Sequence, residues 1–434
     1  MPTKIKTTAA DVDEEAKPAL VPKLRFPSFT DTWAHDPLWN VLTEQKRKNS
    51  AGREVFSVSM EHGIVNQIEL LGRSFAASDT SHYTVGRRYD IVYTKSPLKA
   101  FPFGIVKQCK YDGDVALSPL YGVFTPPNPH LGLMIEAYFE SPDRSKHFLS
   151  PLCQKGAKNT LQITNATFLS GKLPLPTEPG EQQKIAECLS SLDELIAAQA
   201  RKVEVLKTHK KGLMQQLFPR EGETQPRLRF PEFEDAGEWV SDSLGNIFES
   251  ASGGTPSRKE GAYWNGNIPW ITTSLVDFRV ITNAEEFITG KGLENSSAKL
   301  FPKGTVLMAM YGQGKTRGQV ALLGIDAATN QACAAILPRE GIDPYFVFAN
   351  LAGRYEEIRE LSNSGGQENL SQALIRGKIR FAFPSDDAEQ RKVTSCLSAL
   401  DVLITSETQK HAALQRYKLG LMQQLFPSLE EVEA

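Results

Sequence analysis

Residues 181–219 read EQQKIAECLSSLDELIAAQARKVEVLKTHKKGLMQQLFP, and residues 389–427 read EQRKVTSCLSALDVLITSETQKHAALQRYKLGLMQQLFP. The two stretches align without a gap at an offset of 208, with 21 of 39 positions identical. A second echo lies upstream of each. Pro22-Lys-Leu-Arg-Phe-Pro-Ser-Phe29 returns as Pro226-Arg-Leu-Arg-Phe-Pro-Glu-Phe233, at an offset of 204. The unit is therefore an opening motif followed by a tryptophan (Trp33 or Trp39; Trp239), a middle of about 150 residues, and a long tail. The middles do not resemble each other. A duplicated frame around two different inserts predicts a scaffold that presents two different readers.

In the first tail, positions 185, 189, 192, 196, 199, 203, 206, 210, 213 and 217 alternate steps of four and three, and eight of the ten are apolar. The second tail repeats the pattern from Val393 to Leu425, with Glu407, His411 and Lys418 as its polar members. This is a heptad seam, and Leu189, Leu192, Leu206, Leu397, Leu400 and Leu414 are expected to hold it. Pro176 and Pro384 precede the tails, and Pro219 and Pro427 end them. Each helix would run about 35–39 residues, roughly 50–58 Å at 1.5 Å per residue. A helix of this kind cannot bury its seam alone. Matching seams predict an antiparallel pair and a pseudo-two-fold; the alternative is two surface helices, each packed on its own domain.

A chain of 434 residues exceeds one core and implies several domains. The net charge of −2 does not by itself call for a polyanion. Residues 21–175, however, hold 18 Lys and Arg against 13 Asp and Glu, and residues 250–383 hold 14 against 12. Two mildly basic middles fit local contact with phosphate, or an ordinary solvated surface. Five cysteines with no CxxC pair, and no apolar leader, predict a reducing, cytoplasmic setting. No run approaches the ~18 apolar residues of a membrane span.

The middles read as mixed α/β. Strand-like runs are Tyr89–Tyr93, Val115–Phe124, Thr305–Ala309 and Gln319–Leu323; helical runs are Leu131–Phe139, Leu244–Phe248 and Tyr345–Arg359. No catalytic constellation emerges. Met310–Thr316 lacks the first glycine of a phosphate loop, since position 309 is alanine, and Gly318–Leu323 beyond it reads as strand. The seven histidines show no metal spacing. Asp112 and Asp114 flank a turn glycine, and Asp386-Asp387 sit where a helix wants a cap.

These residues resemble the specificity subunit of type I restriction-modification systems. The resemblance rests on the duplicated Glu-Gln-x-Lys helices and on phrases in the middles. The second middle has Ser252-Gly-Gly-Thr-Pro-Ser257, Tyr263–Ile271, Gly318–Ala321, Asn330-Gln-Ala332 and Asn369-Leu-Ser-Gln; the first has Gly86–Pro97, Asp112-Gly and Leu117–Tyr121. It covers about residues 22–427. It implies an α/β (α+β) chain of two globular target recognition domains separated by two long antiparallel coiled-coil helices. The implied division is a tail over 1–20, domains at 21–175 and 223–383, and helices at 176–222 and 384–434. It also implies a non-catalytic subunit that binds a bipartite, asymmetric site in double-stranded DNA. Two modification subunits carrying S-adenosylmethionine would methylate adenine at N6, and restriction subunits would use ATP and Mg. The chain itself would hold no cofactor or metal. The other class left open is a coiled-coil adaptor that never touches DNA.

A split-site reader needs phosphate contacts for position and base-edge contacts for sequence. In the first middle the candidates are Lys46, Arg47, Lys48, Arg87 with Arg88, Lys107, and the run Lys155, Lys158, Asn159 and Thr160. In the second they are Arg258, Lys259, Lys315, Thr316, Arg317, Gln367 and Asn369. The segments 155–160 and 364–369 combine glycine with amide or basic side chains about 20 residues before their helices, so the backbone can approach a groove closely.

Overall fold

The computed structural model describes residues 20–155, 161–220, 222–312, 314–361 and 369–428. The tail expected over residues 1–20 lies outside them up to residue 19. Two compact units divide the chain. One takes the chain up to Gln199 and the segment from Lys410 onward; the other is Ala200–Gln409.

The first unit holds β1 (Ala34–Pro37), β2 (Thr43–Glu44), β3 (Val55–Ser59), β4 (Gly63–Asn66), α1 (Gln67–Leu71), β5 (Thr84–Gly86), β6 (Ile91–Thr94), β7 (Ile105–Gln108), β8 (Val115–Leu117) and β9 (Tyr121–Thr125). Next come α2 (Pro129–Glu140), α3 (Pro142–Leu149), β10 (Gln154–Lys155), β11 (Leu161–Gln162), α4 (Asn165–Ser170), β12 (Lys172–Leu175) and the start of α5 (Pro179–Leu217). Two four-stranded sheets, in the orders β2-β9-β6-β7 and β4-β3-β8-β5, form its domain. The run Val115–Phe124 is split between them, because Tyr121 N–H turns back to the Ser118 carbonyl at 2.9 Å.

The second unit holds the rest of α5, then β13 (Val240–Ser243), α6 (Leu244–Ile247), β14 (Ser250–Ser252), β15 (Trp264–Ile271), β16 (Val280–Ile281), β17 (Glu286–Ile288), α7 (Gly290–Glu294), β18 (Leu300–Phe301), β19 (Val306–Ala309), β20 (Val320–Leu323) and β21 (Ala327–Thr329). It continues with β22 (Cys333–Ile336), α8 (Pro344–Gly353), α9 (Tyr355–Glu360), α10 (Gln372–Lys378), β23 (Arg380–Phe383) and the start of α11 (Asp387–Leu425). Its sheets run β14-β22-β19-β20-β16 and β17-β15-β21-β18. The helix expected over Tyr345–Arg359 breaks at Arg354. A strand comes after the Met310–Thr316 loop, where a phosphate loop would need a helix. Asp386 Oδ1 accepts from Ala388 N–H at 2.7 Å, the helix cap read from the sequence.

Both long helices are 39 residues. Every seam position from Ile185 to Leu217 and from Val393 to Leu425 is buried or half-buried. Three polar seam residues, Lys210, Glu407 and Lys418, stand in ion pairs. In the first unit Lys418 Nζ lies 2.7 Å from Asp193; in the second, Lys210 pairs with Asp401, and Lys202 with Glu407. Within each unit, rising numbers on α5 meet falling numbers on α11, so the halves pair antiparallel. Asp193 and Asp401 are repeat equivalents, as are Lys210 and Lys418. Each unit is thus completed by one half of each helix, and for that reason the units do not follow the linear division at 175, 222 and 383.

The opening motif clips each pair together. In the first unit Leu24 N–H donates to the Gln424 carbonyl near the end of α11 at 2.9 Å, and Arg25 grips Glu181 at the start of α5 with two bonds of 2.7 Å. In the second, Leu228 donates to Gln216 at 2.9 Å, and Arg229 grips Glu389 at 2.8 and 2.7 Å. Glu181 and Glu389 are each 1% exposed. A buried carboxylate needs such a bidentate partner. Strand β1 pairs with β12 directly before α5, and β13 pairs with β23 directly before α11. Trp33 is buried against Phe426, as Trp239 is against Phe346; Trp39 is exposed.

Candidate nucleic-acid interface

In the first unit, backbone bonds gather the basic residues that are scattered in sequence. The segment 47–49 runs beside β5: Val85 N–H donates to the Arg47 carbonyl at 2.8 Å, and Asn49 N–H to the Tyr83 carbonyl at 3.0 Å. Lys46, Arg47 and Lys48 therefore lie next to the turn that carries Arg87 and Arg88. That turn is tight. Tyr89 has φ 75°, and the buried Asp90 carboxylate accepts from Arg87 N–H at 2.8 Å and from Thr125 Oγ1 at 2.6 Å. Burial holds the Asp90 carboxyl above its ordinary value against those two bonds. The turn at Asp112–Asp114 closes the patch, with Arg47 and Arg53 on Asp114 and Arg88 on Asp112.

Lys46 and Arg87 are exposed and have no ion-pair partner among the described residues, whereas Lys48 donates to the His82 carbonyl at 3.1 Å. Lys107 does not join the patch. It is 5% exposed, between Glu136 and Glu140 at 3.6 and 3.1 Å. Lys155 has a described backbone in β10; Lys158, Asn159 and Thr160 lie outside the described residues.

In the second unit four phrases of the sequence converge. Gly254 N–H donates to the Thr329 carbonyl at 2.8 Å, Thr255 Oγ1 to Gln331 at 2.6 Å, Met310 N–H to the Ala332 carbonyl at 2.8 Å, and Leu370 N–H to the Met310 carbonyl at 2.9 Å. Residues 252–258, 310–312, 314–317, 330–332 and 369–370 thus share one side. Gly253 and Gly254 are required there, since an added Cβ would lie 2.0 Å from the Thr329 carbonyl oxygen and 2.3 Å from the Ser297 backbone.

Arg258 is exposed but ordered. Its guanidinium sits 3.7 Å over the Trp264 ring and 5.0 Å from Trp270, and pairs with Glu286 at 2.6 Å. Lys259 is exposed beside it. Lys315 is exposed, and its carbonyl accepts from the Tyr355 hydroxyl. Thr316 is half-buried, Arg317 is only 5% exposed, and Asn369 is half-buried. Gln367 lies outside the described residues. Trp264, Trp270, Asp112 and Asp114 were not recognised from sequence as site members. Aromatic residues interleaved with Arg258 were the available signal for the first two. Among the described residues no group of three or more His, Cys, Asp or Glu could hold a metal, and no helix is long and apolar enough to cross a membrane.

The model of the type I restriction modification DNA specificity domain matches residues 111–208 and 236–416. The chain is 29% identical over 199 residues to the type I restriction enzyme MjaIX specificity subunit of Methanocaldococcus jannaschii, covering 44% of this chain and 45% of that one. It is 28% identical over 259 residues to the EcoR124I/EcoR124II specificity subunit of Escherichia coli, covering 56% and 59%. This chain therefore spans about half the length of the curated relatives it matches. The fold is that of the crystal structure of the type I restriction-modification S subunit from M. genitalium, with TM-score 0.55 and 15% identity over 94% of this chain and 100% of that one. A chain from a structure of complex assembly and conformational transition in the type I R-M system matches at TM-score 0.54 and 14% identity, over 91% and 97%.

Proposed function

Because this chain belongs to the type I restriction modification DNA specificity family, we propose that it is the DNA sequence-recognition subunit of a type I restriction-modification complex. The observation that carries the reading is the frame. Two units repeat the same clips, Arg25–Glu181 and Arg229–Glu389, around domains of different sheet order. Such a molecule suits two unlike half-sites read from equivalent supports. In the first domain Lys46, Arg47, Lys48 and Arg87 contact phosphate. In the second, Arg258, Lys259, Lys315 and Thr316 reach DNA, with Asn369 beside them. Chemistry belongs to partners: modification subunits bind S-adenosylmethionine and methylate adenine, and restriction subunits use ATP and Mg. The chain alone only recognises.

The test is methylation by the chain assembled with its modification subunits. Adenine methylation in a bipartite, asymmetric site is expected, with no methyltransferase or nuclease activity from the chain alone. Binding should weaken linearly in log–log form as salt rises. Methylation of one continuous palindrome would sink the two-reader idea. An assembled complex with no affinity for duplex DNA would return the chain to the class of protein adaptors.

A further inference from the structure

The second unit contains a groove of about 850 Å³ at the end of α5. Its floor includes Met214, Phe218 and Phe348, and Lys210, Gly353 and Tyr355 also line it. The first unit shows what belongs in such a place. Helices α2 and α8 are equivalent: each starts on a proline after a cap residue that bonds the glutamine next to the buried glutamate. Asn128 Nδ2 donates to Gln182 Oε1 at 2.9 Å, and Asp343 N–H to Gln390 Oε1 at 3.2 Å. Aligned from Pro129 and Pro344, Tyr138 falls on Gly353 and Glu140 on Tyr355.

In the first unit Tyr138 is 1% exposed, with its ring 5.7 Å from Phe426. Glu140 lies 2.7 Å from Lys418 Nζ. The repeat equivalents of that floor, Phe218 and Lys210, line the groove in the second unit. There Gly353 brings no side chain, Phe346 packs on Phe218 at 5.1 Å instead, and Tyr355 brings no carboxylate to the place of Glu140. Lys211 and Arg220 add exposed positive charge to the rim, and neither is in an ion pair among the described residues.

We infer that this groove seats an acidic segment of a partner chain that presents an aromatic side chain, the ring entering over the apolar lining and a carboxylate meeting Lys210 and Lys211. The occupant supplies in trans what Tyr138 and Glu140 supply in cis. Five basic side chains line the groove against Asp401, Glu356 and Glu357, an excess that favours an acidic occupant, and the apolar lining favours a ring. The site also touches the candidate DNA loop, because Tyr355 lines the groove and donates to the Lys315 carbonyl. The inference stands on the internal repeat and does not need DNA binding to be right.

The test uses the full chain and the peptide Ac-Glu-Ala-Tyr-Phe-Glu-Ser-amide, this chain's own residues 136–141, with a fluorinated tyrosine followed by fluorine NMR. Saturable broadening is expected. Ala352→Phe, which fills the groove from its wall, should abolish it. Lys211→Glu with Arg220→Glu, both on the exposed rim, should weaken binding by about tenfold, the effect of roughly 1.4 kcal/mol. A peptide with lysine in place of both glutamates should not bind. Any of four outcomes overturns the proposal: no binding to the unmodified chain, binding unchanged in Ala352→Phe, equal binding of the lysine peptide, or displacement by duplex DNA. The last would assign the groove to nucleic acid.

Discussion

Arg25 and Arg229 hold equivalent carboxylates, yet they are not equally backed. Glu389 also accepts from Trp239 Nε1 at 3.1 Å, while among the described residues Glu181 has no indole donor. Removing one partner of a buried ion pair costs roughly 3–5 kcal/mol, mostly for the charge left behind. Arg25→Met should therefore destabilise its unit toward the upper end of that range and Arg229→Met toward the lower. Hydrogen exchange read separately in each unit measures both; equal losses would contradict the role given to Trp239. On the surface, Lys46 and Arg87 are without ion-pair partners among the described residues, so alanine at either should weaken DNA binding on all sequences alike and lower the salt slope by about one. Arg258→Ala should act differently. Its guanidinium is ordered on Trp264, so it should relax specificity at one base of one half-site at a cost of about 1–3 kcal/mol. Methylome sequencing separates the two patterns.

The helix pair was the most legible element. Its apolar period alone gave the seam, and all six leucines singled out for it are buried or half-buried. The partners of Lys210 and Lys418 were not legible, because Asp401 and Asp193 lie across the pair, and only the antiparallel register brings them together. The domains were partly legible. The strand at Val306–Ala309 and the helix Pro129–Glu140 were anticipated nearly to their ends, but the split of Val115–Phe124 depends on sheet partners no local pattern names. The site was less legible still. Lys107 reads like any basic strand residue, and only the fold sets buried Glu136 and half-buried Glu140 beside it.

That cluster yields a pH prediction. Burial pushes the Glu140 carboxyl up, but the charges and hydrogen bonds of Lys107 and Lys418 outweigh it and leave it below its ordinary value of 4.5. Burial pushes the Lys418 amine down, and Glu140 and Asp193 leave it above 10.5. The cluster's stabilisation is therefore complete between those values. It is lost as pH falls through the lowered carboxyl value, or rises through the raised amine value. Glu140→Gln should cost about 1.5–3 kcal/mol near neutrality, since each lysine keeps one carboxylate. It should also flatten the acid limb of the stability curve; an unchanged acid limb would refute the assignment.

At the scale of the whole chain, we propose that the helix pair sets the spacer between the two half-sites, and a direct change of its length tests this. Seven residues inserted at matching places in α5 and α11 should alter the accepted spacer while leaving both half-site sequences unchanged, as methylome sequencing would read. Altered half-site bases would contradict the role.

The division of each long helix between units also orders events in time. Ala200–Gln409 is continuous in sequence, so that unit has all its parts when Gln409 has been synthesised. The first unit, begun earlier, waits for Met422, Leu425 and Phe426, which share its core with Ile185 and Leu189. While the ribosome works through the intervening two hundred residues, the older domain carries an unsealed apolar face. The part made first is the part finished last, and a nascent chain stalled before Lys410 holds one unit that can close and one that cannot.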